Sequence, residues 1–122
     1  MEFKLNEDQQ MIEDLAKDFA ENILQPRIDE IEAGELVEVS TGEKHPQLPL
    51  DIHEQMAECG FIGISFPEEY DGMGMGHVEQ AIIIKEISRV SPSVGKCLDV
   101  YILGLEALDL YANDEQKQKY LA

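Results

Sequence analysis

Lys96 and Asp99 stand three residues apart in a stretch, Val94 to Tyr111, that is otherwise apolar almost all round. On a helix that spacing puts both charges on one face. Either the face meets solvent, as part of a polar stripe continued by Glu106 and Asp109, or it meets a ligand or a neighbouring domain. The other residues able to do chemistry are less well arranged. The glycines of Asp71-Gly72-Met73-Gly74-Met75-Gly76 have the look of a phosphate cradle, but such a cradle joins a buried strand to a helix and, in the Walker form, is followed by Lys. Neither context is present, and the segment reads as a flexible turn leading into a helix that starts at His77. His45, His53 and His77 have no metal-ligand spacing with one another or with Cys59 and Cys97, which makes them ordinary surface histidines and leaves no metal site to nominate. Ser65, in Ile64-Ser65-Phe66-Pro67, lacks the flanking glycines of a nucleophile elbow. Glu54, Glu58, Glu68 and Glu69 serve as acids or bases only where something desolvates them, and they read as solvated faces.

The elements that must carry these residues are helices. Asn6 with Gln9 has capping-box spacing, and Ile12, Leu15, Ala16, Phe19, Ala20 and Ile23 then form one apolar stripe opposite Glu13, Asp14, Lys17, Asp18 and Glu21. Pro26 should interrupt or kink that helix, with a short second piece running to Ala33 and Gly34 as its stop. From Gly34 to Pro49 periodicity disappears into a surface loop, in which Leu36 to Val39 alternates like a short extended segment. Pro49 suits the first turn of the next helix, where Ile52, Met56 and Cys59 share a face before Gly60 ends it. Phe61, Ile62, Ile64 and Phe66 suggest an extended connector packed on the core. His77 to Val90 is apolar on more than one face and is expected to be largely buried, and the helix opened by Ser91-Pro92 is expected to be central. Asn113 with Gln116 opens a last helix that reaches Ala122 without a stop signal, as at a cut. With no βαβ alternation and no repeat, residues 1–122 read as one all-α domain, a bundle of about five helices.

Composition narrows the partners. There are 26 Asp and Glu against 9 Lys and Arg, a formal net charge of -17, and such a surface repels phosphates, which excludes nucleic acid and anionic membrane surfaces. No apolar run approaches the roughly 20 residues that span a bilayer, so membrane insertion is not expected. Met1 to Gln10 is polar and acidic, without the basic start and apolar core of a secretory signal, and a cytoplasmic location is expected. Cys59 and Cys97, far apart in sequence, read as two buried thiols.

Three segments resemble a known family. Pro67-Glu68-Glu69-Tyr70-Asp71-Gly72-Met73-Gly74 resembles the PEEYGG-x-G stretch of acyl-CoA dehydrogenases, and it follows Gly60-Phe61-Ile62-Gly63-Ile64, which is similar to that family's G-L-L-G-I. Asn113 to Leu121 resembles the family's S-E-E-Q-K-Q-K-Y-L, and Leu5 to Gln10 also fits its opening. The sequence departs from the family at Asp71, where glycine is common, and in the loop from Gly34 to Leu48, which is longer than usual.

The resemblance covers the N-terminal helical domain only, and it implies a middle β domain and a C-terminal helical domain that this segment lacks. It implies an FAD enzyme that oxidises an acyl-CoA to an enoyl-CoA, passes electrons to an electron-transferring flavoprotein and assembles as a homo-tetramer. The family's flavin lies mostly between the two absent domains and its catalytic Glu lies in the last, so no catalytic or cofactor-binding residue is assigned here. The segment alone is expected to be inactive and to retain no FAD. By the same resemblance Gly95, Lys96, Asp99, Val100 and Leu103 fall on positions that line or close the acyl pocket. Charges there are costly beside a plain aliphatic chain, which implies a short, branched, cyclic or polar acyl group. The competing reading is a stand-alone helical protein-interaction module that keeps the fold without the enzyme.

Overall fold

The structure is a computed structural model that describes residues 2–33, 35–37, 44–46 and 48–122, with the main chain alone for 35–37 and 44–46. Helix α1 (Glu7–Phe19) starts where Asn6 Oδ1 accepts from Gln9 N at 2.8 Å and Gln9 Oε1 accepts from Asn6 N at 3.0 Å. That reciprocal cap satisfies two of the main-chain donors a helix start would otherwise leave open. Pro26 interrupts the α-helix as expected, and the second piece ends at Ala33, but the helical run does not stop at the proline. The chain instead widens into a π turn over Ala20–Leu24, tightens to a 3-10 turn over Gln25–Arg27 and resumes as α2 (Ile28–Ala33). A proline lacks its own amide hydrogen and crowds the carbonyl four residues back, and a change of helical pitch ahead of it accommodates both demands. Of the expected α1 stripe, Ile12, Ala16, Phe19 and Ala20 are buried and Ile23 is half-buried, but Leu15 is 41% exposed at the edge of the packed face.

Within the expected loop, β1 (Glu35–Val37) pairs antiparallel with β2 (Lys44–Pro46), Leu36 opposite His45. The extended reading of Leu36 and Val37 holds. Gly34, Glu38 and Val39 lie outside the described residues. Helix α3 (Leu50–Glu58) begins one residue after Pro49, which caps it rather than forming its first turn, and Gly60 ends it at φ 78°, a conformation that suits glycine. The connector after it consists of turns and not of an extended strand, with Phe61, Ile64 and Phe66 buried.

Helix α4 (His77–Val90), α5 (Pro92–Tyr111) and α6 (Asp114–Tyr120) complete the bundle. Ser91 Oγ accepts from Val94 N at 3.3 Å to cap α5, and Asn113 with Gln116 caps α6 at 2.9 and 3.1 Å. The most extensive contacts join α1 to α4 and α4 to α5. Their core holds Ile12, Ala16, Phe19, Ile82, Ile83, Ile87, Val94, Leu98 and Ile102, with Phe61 meeting Phe19 edge to face at 5.4 Å between ring centres. Among the described residues no helix is long and apolar enough to cross a membrane.

A carboxylate is buried in this packing. Glu86 is 5% exposed and lies 3.0 Å from Lys85 and 3.2 Å from Arg89, which in turn reach Glu13 at 2.6 Å and Glu21 at 3.0 Å on the α1 side. Burial opposes the charge of Glu86, but the hydrogen bonds from Lys85 and Arg89 outweigh it and hold the carboxyl below its ordinary value of 4.5. A lowered folded value means that the stabilisation is fully present above 4.5 and is lost as pH falls through the folded value. Glu86→Gln should therefore destabilise the chain by about 1 to 3 kcal/mol at neutral pH. Thermal melting of both proteins from pH 7 to pH 3 should show that deficit shrinking in acid, and a constant deficit would refute the charge-based account.

Candidate functional site

Helix α5 presents two faces of unequal fate. Val94, Gly95, Leu98 and Ile102 are buried against the bundle, while Val100, Tyr101, Leu103, Leu110 and Tyr111 are 47% to 86% exposed. The helix expected to be central is covered on one side only. Between these faces runs an apolar groove of about 630 Å³, lined among the described residues by Ser93, Lys96, Cys97, Val100, Tyr101, Gly104 and Leu105. Its described lining comes from α5 alone, so it is one open wall and not an enclosed cleft. Its Tyr101 wall is held by His53 of α3, the two rings 4.4 Å apart. His53 is therefore half-buried and not an ordinary surface histidine, and its Nδ1 is enclosed without a hydrogen-bond partner among the described residues.

The five residues nominated from sequence are not brought together in one place. Lys96 and Val100 border the groove. Asp99 lies on the other flank of α5, in a shallower depression with His77, Gln80, Ile84, Lys85 and Glu106. Leu103 is 64% exposed and lines neither of these hollows. Gly95 is buried at the crossing with α4, where an added Cβ would stand 1.9 Å from Ser88 Oγ and 3.1 Å from Ser88 Cα. Its lack of a side chain lets the helices approach. Tyr101, Cys97 and Gly104 were missed because nothing in periodicity alone distinguishes a groove wall from a packed face. Both cysteines are free and half-buried, less enclosed than expected, and burial with nearby Glu58 pushes the Cys59 thiol upward.

The glycine segment before α4 is not a phosphate cradle. Its main-chain N–H groups already have acceptors: Gly72 on Pro67 O, Met73 on Gly63 O, Gly74 on Phe66 O, Met75 on Ile64 O, and Gly76 on the Glu79 carboxylate at 3.1 Å. The segment is a tied turn rather than a flexible one. Gly72 sits so close to Phe66 that an added Cβ would lie 2.2 Å from its carbonyl oxygen. Asp71, at φ 61°, occupies the left-handed conformation that the resemblance expects a glycine to hold. Tyr70 is buried, and its hydroxyl makes a long 3.5 Å contact to Asp114 at the start of α6. Burial, with Glu69 and Asp114, pushes its phenol up, so it stays protonated as a donor. Lys117 lies 5.9 Å from the Tyr70 ring centre and 3.8 Å from Asp109, which ties α6 to this turn.

A family model described as acyl-CoA dehydrogenase, N-terminal domain, matches residues 6–122. The chain belongs to this family. It is 32% identical to a probable acyl-CoA dehydrogenase, YngJ, of Bacillus subtilis over 99% of its own length and 29% of that protein's. It is 38% identical to a 3-(aryl)acrylate reductase of Clostridium sporogenes over 94% of its length and 28% of that protein's. A chain solved in work on the electron transferring flavoprotein of Acidaminococcus fermentans and flavin-based electron bifurcation superposes with a TM-score of 0.83 at 35% identity, covering 100% of this chain and 30% of that one. The chain thus spans less than a third of the relatives it matches. For an acyl-CoA dehydrogenase N-terminal domain, the two signature segments are here structural struts, since Tyr70 of one meets Asp114 and Lys117 of the other.

The α4–α5 crossing admits a direct test. Gly95→Ala should cost about 1 to 3 kcal/mol through overpacking. Ser88→Gly in the same chain should recover part of that loss in urea melts, and purely additive effects would place the clash elsewhere.

Proposed function

We propose that this chain is the N-terminal domain of an FAD-dependent acyl-CoA dehydrogenase that oxidises an acyl-CoA to an enoyl-CoA, and that the outer side of α5 forms one wall of its acyl pocket. The reading is carried by one observation: a preformed apolar groove along α5, bordered by Lys96 and Val100, in a domain of this family. Val100 and Lys96 act as pocket wall. Leu103 and Asp99, outside the groove itself, meet whatever closes the pocket from its other sides, and Gly95 contributes by setting how near α5 lies to α4.

The remaining machinery belongs to parts of the enzyme outside this chain. FAD supplies acceptance of a hydride from the β carbon, and a carboxylate outside these 122 residues takes the α proton. Residues 1–122 are one domain, inactive alone and without affinity for FAD. Electrons pass to an electron-transferring flavoprotein, and the whole enzyme is a cytoplasmic homo-tetramer. Lys96 in the groove wall is unfavourable beside a long plain aliphatic chain, so the acyl group is short, branched, cyclic or polar.

Two measurements test this. The enzyme containing the domain should reduce a dye acceptor with butyryl-CoA or a branched analogue faster than with palmitoyl-CoA, and the isolated chain should be colourless and without turnover. Fastest oxidation of palmitoyl-CoA would defeat the substrate reading, and a stoichiometric yellow complex of the isolated chain would defeat the division of labour.

A further inference from the structure

Two glycines lie within α5, and this chain accounts for only one of them. Gly95 makes room for Ser88 of α4. Gly104 has no such neighbour: among the described residues, a Cβ built on it meets nothing within 4 Å. Nor does the backbone require glycine there, since Gly104 sits inside a regular helix and is not among the residues of positive φ. Glycine is the poorest helix former after proline, so an exposed position in a helix interior gains stability from almost any replacement. Among the described residues, neither conformation nor packing requires the side chain to be missing. What remains is something outside the domain that approaches the helix at that point.

The position of Gly104 says what approaches. It lines the α5 groove together with Val100 and Tyr101, and it also lines a second hollow with Ala107, Leu108, Tyr111, Ala112, Gln116 and Tyr120. It is thus where the two hollows meet, and its hydrogen leaves the groove broader there than either neighbour would. The Tyr101 wall beside it rests against His53, the two rings tilted by 36°. Lys96 borders the same groove two helical turns toward the N-terminus and disfavours a long apolar chain running that way. The available room is therefore in width more than in length.

We propose that Gly104 is a specificity-determining residue whose missing side chain makes room for a branch or ring, so that the enzyme prefers branched or cyclic acyl thioesters to straight ones. The inference rests on the groove being the acyl pocket. A methyl group at Gly104 would project into the space the branch occupies, while a straight chain passes beside it.

The test uses the flavoenzyme containing this domain, as wild type, Gly104→Ala and Gly104→Val, with butyryl-CoA, isobutyryl-CoA, isovaleryl-CoA and cyclohexanecarbonyl-CoA. Wild type should favour a branched or cyclic substrate. Gly104→Ala should lower the branched-to-straight ratio of kcat/KM about tenfold while butyryl-CoA changes by no more than about twofold, and Gly104→Val should lower the ratio further. Melting temperature should rise in the Ala variant, because alanine is the better helix former, which separates lost selectivity from lost folding. An unchanged ratio, an equal loss on all four substrates, or a wild-type preference for butyryl-CoA would each overturn the proposal while leaving the pocket reading in place. Absence of turnover with every acyl-CoA would overturn the pocket reading itself and this inference with it.

Discussion

A buried carboxylate restricts how the helices of this domain can be arranged. Glu86 is 5% exposed and depends on Lys85 and Arg89 for its charge, and those cations also reach Glu13 of α1 and Glu21 of the π turn that follows it. Sliding α4 by a turn would leave Glu86 with Lys85 and Arg89, which share its helix, but would separate those half-exposed cations from Glu13 and Glu21. The cross-helix pairs therefore favour one register, each only weakly, as exposed ion pairs do. With α4 placed, Ser88 faces α5 and receives Gly95 at a separation that only glycine permits. The rotation of α5 follows, and with it the exposure of Lys96, Val100, Leu103 and Gly104 on its outer side. A chain of contacts thus runs from Glu13 to the groove.

The parts legible in the sequence are those specified by neighbours in sequence. Asn6 with Gln9, Ser91 with Pro92 and Asn113 with Gln116 each announce a helix start, and each cap is made as read. The buried residues of α1 follow from period 3.6, apart from Leu15, whose exposure depends on where the packed face ends. What depends on another element was hidden. No local signal pairs Glu86 with two cations that also bridge to α1, or sets His53 against Tyr101. Gly95 was nominated as a pocket residue through the family resemblance, which does not say that its bare Cα also faces Ser88 of α4. Asp99 likewise parts from Lys96: three residues apart suffices for a shared face, yet the groove and the α4-side depression divide that face between them.

The signature segments show why a family can be recognised from residues that hold a demanding turn. Pro67 to Gly76 folds back on Gly63 to Phe66 through successive main-chain hydrogen bonds, and Gly72 fills a place where a side chain would strike Phe66. Such a turn tolerates few sequences, whereas a solvated face tolerates many. Asp71 marks the tolerance that exists, since aspartate is among the few non-glycine residues that visit the left-handed region at modest cost. Tyr70 then carries the constraint from the turn to α6. The signal is strong because the geometry is demanding, and it reports on the scaffold holding α5.

The remaining disagreement concerns α5, read as central and found half uncovered. A helix apolar nearly all round is one whose whole circumference meets apolar surroundings. Single exposed apolar residues are common on any surface, but Val100, Leu103, Leu110 and Tyr111 lie along one side of one helix, at 56%, 64%, 71% and 86% exposure. In a chain carrying a net charge of -17, that side bears few charges, so the acidic surface does not extend across it. Hydrophobic periodicity records the environment in which a helix works, and this chain spans 29% of the length of a relative it matches. The expectation of a central helix was correct about the composition of its faces. Its error lay in taking apolar composition for burial within these residues, since periodicity does not say which apolar side chains of a helix stay exposed.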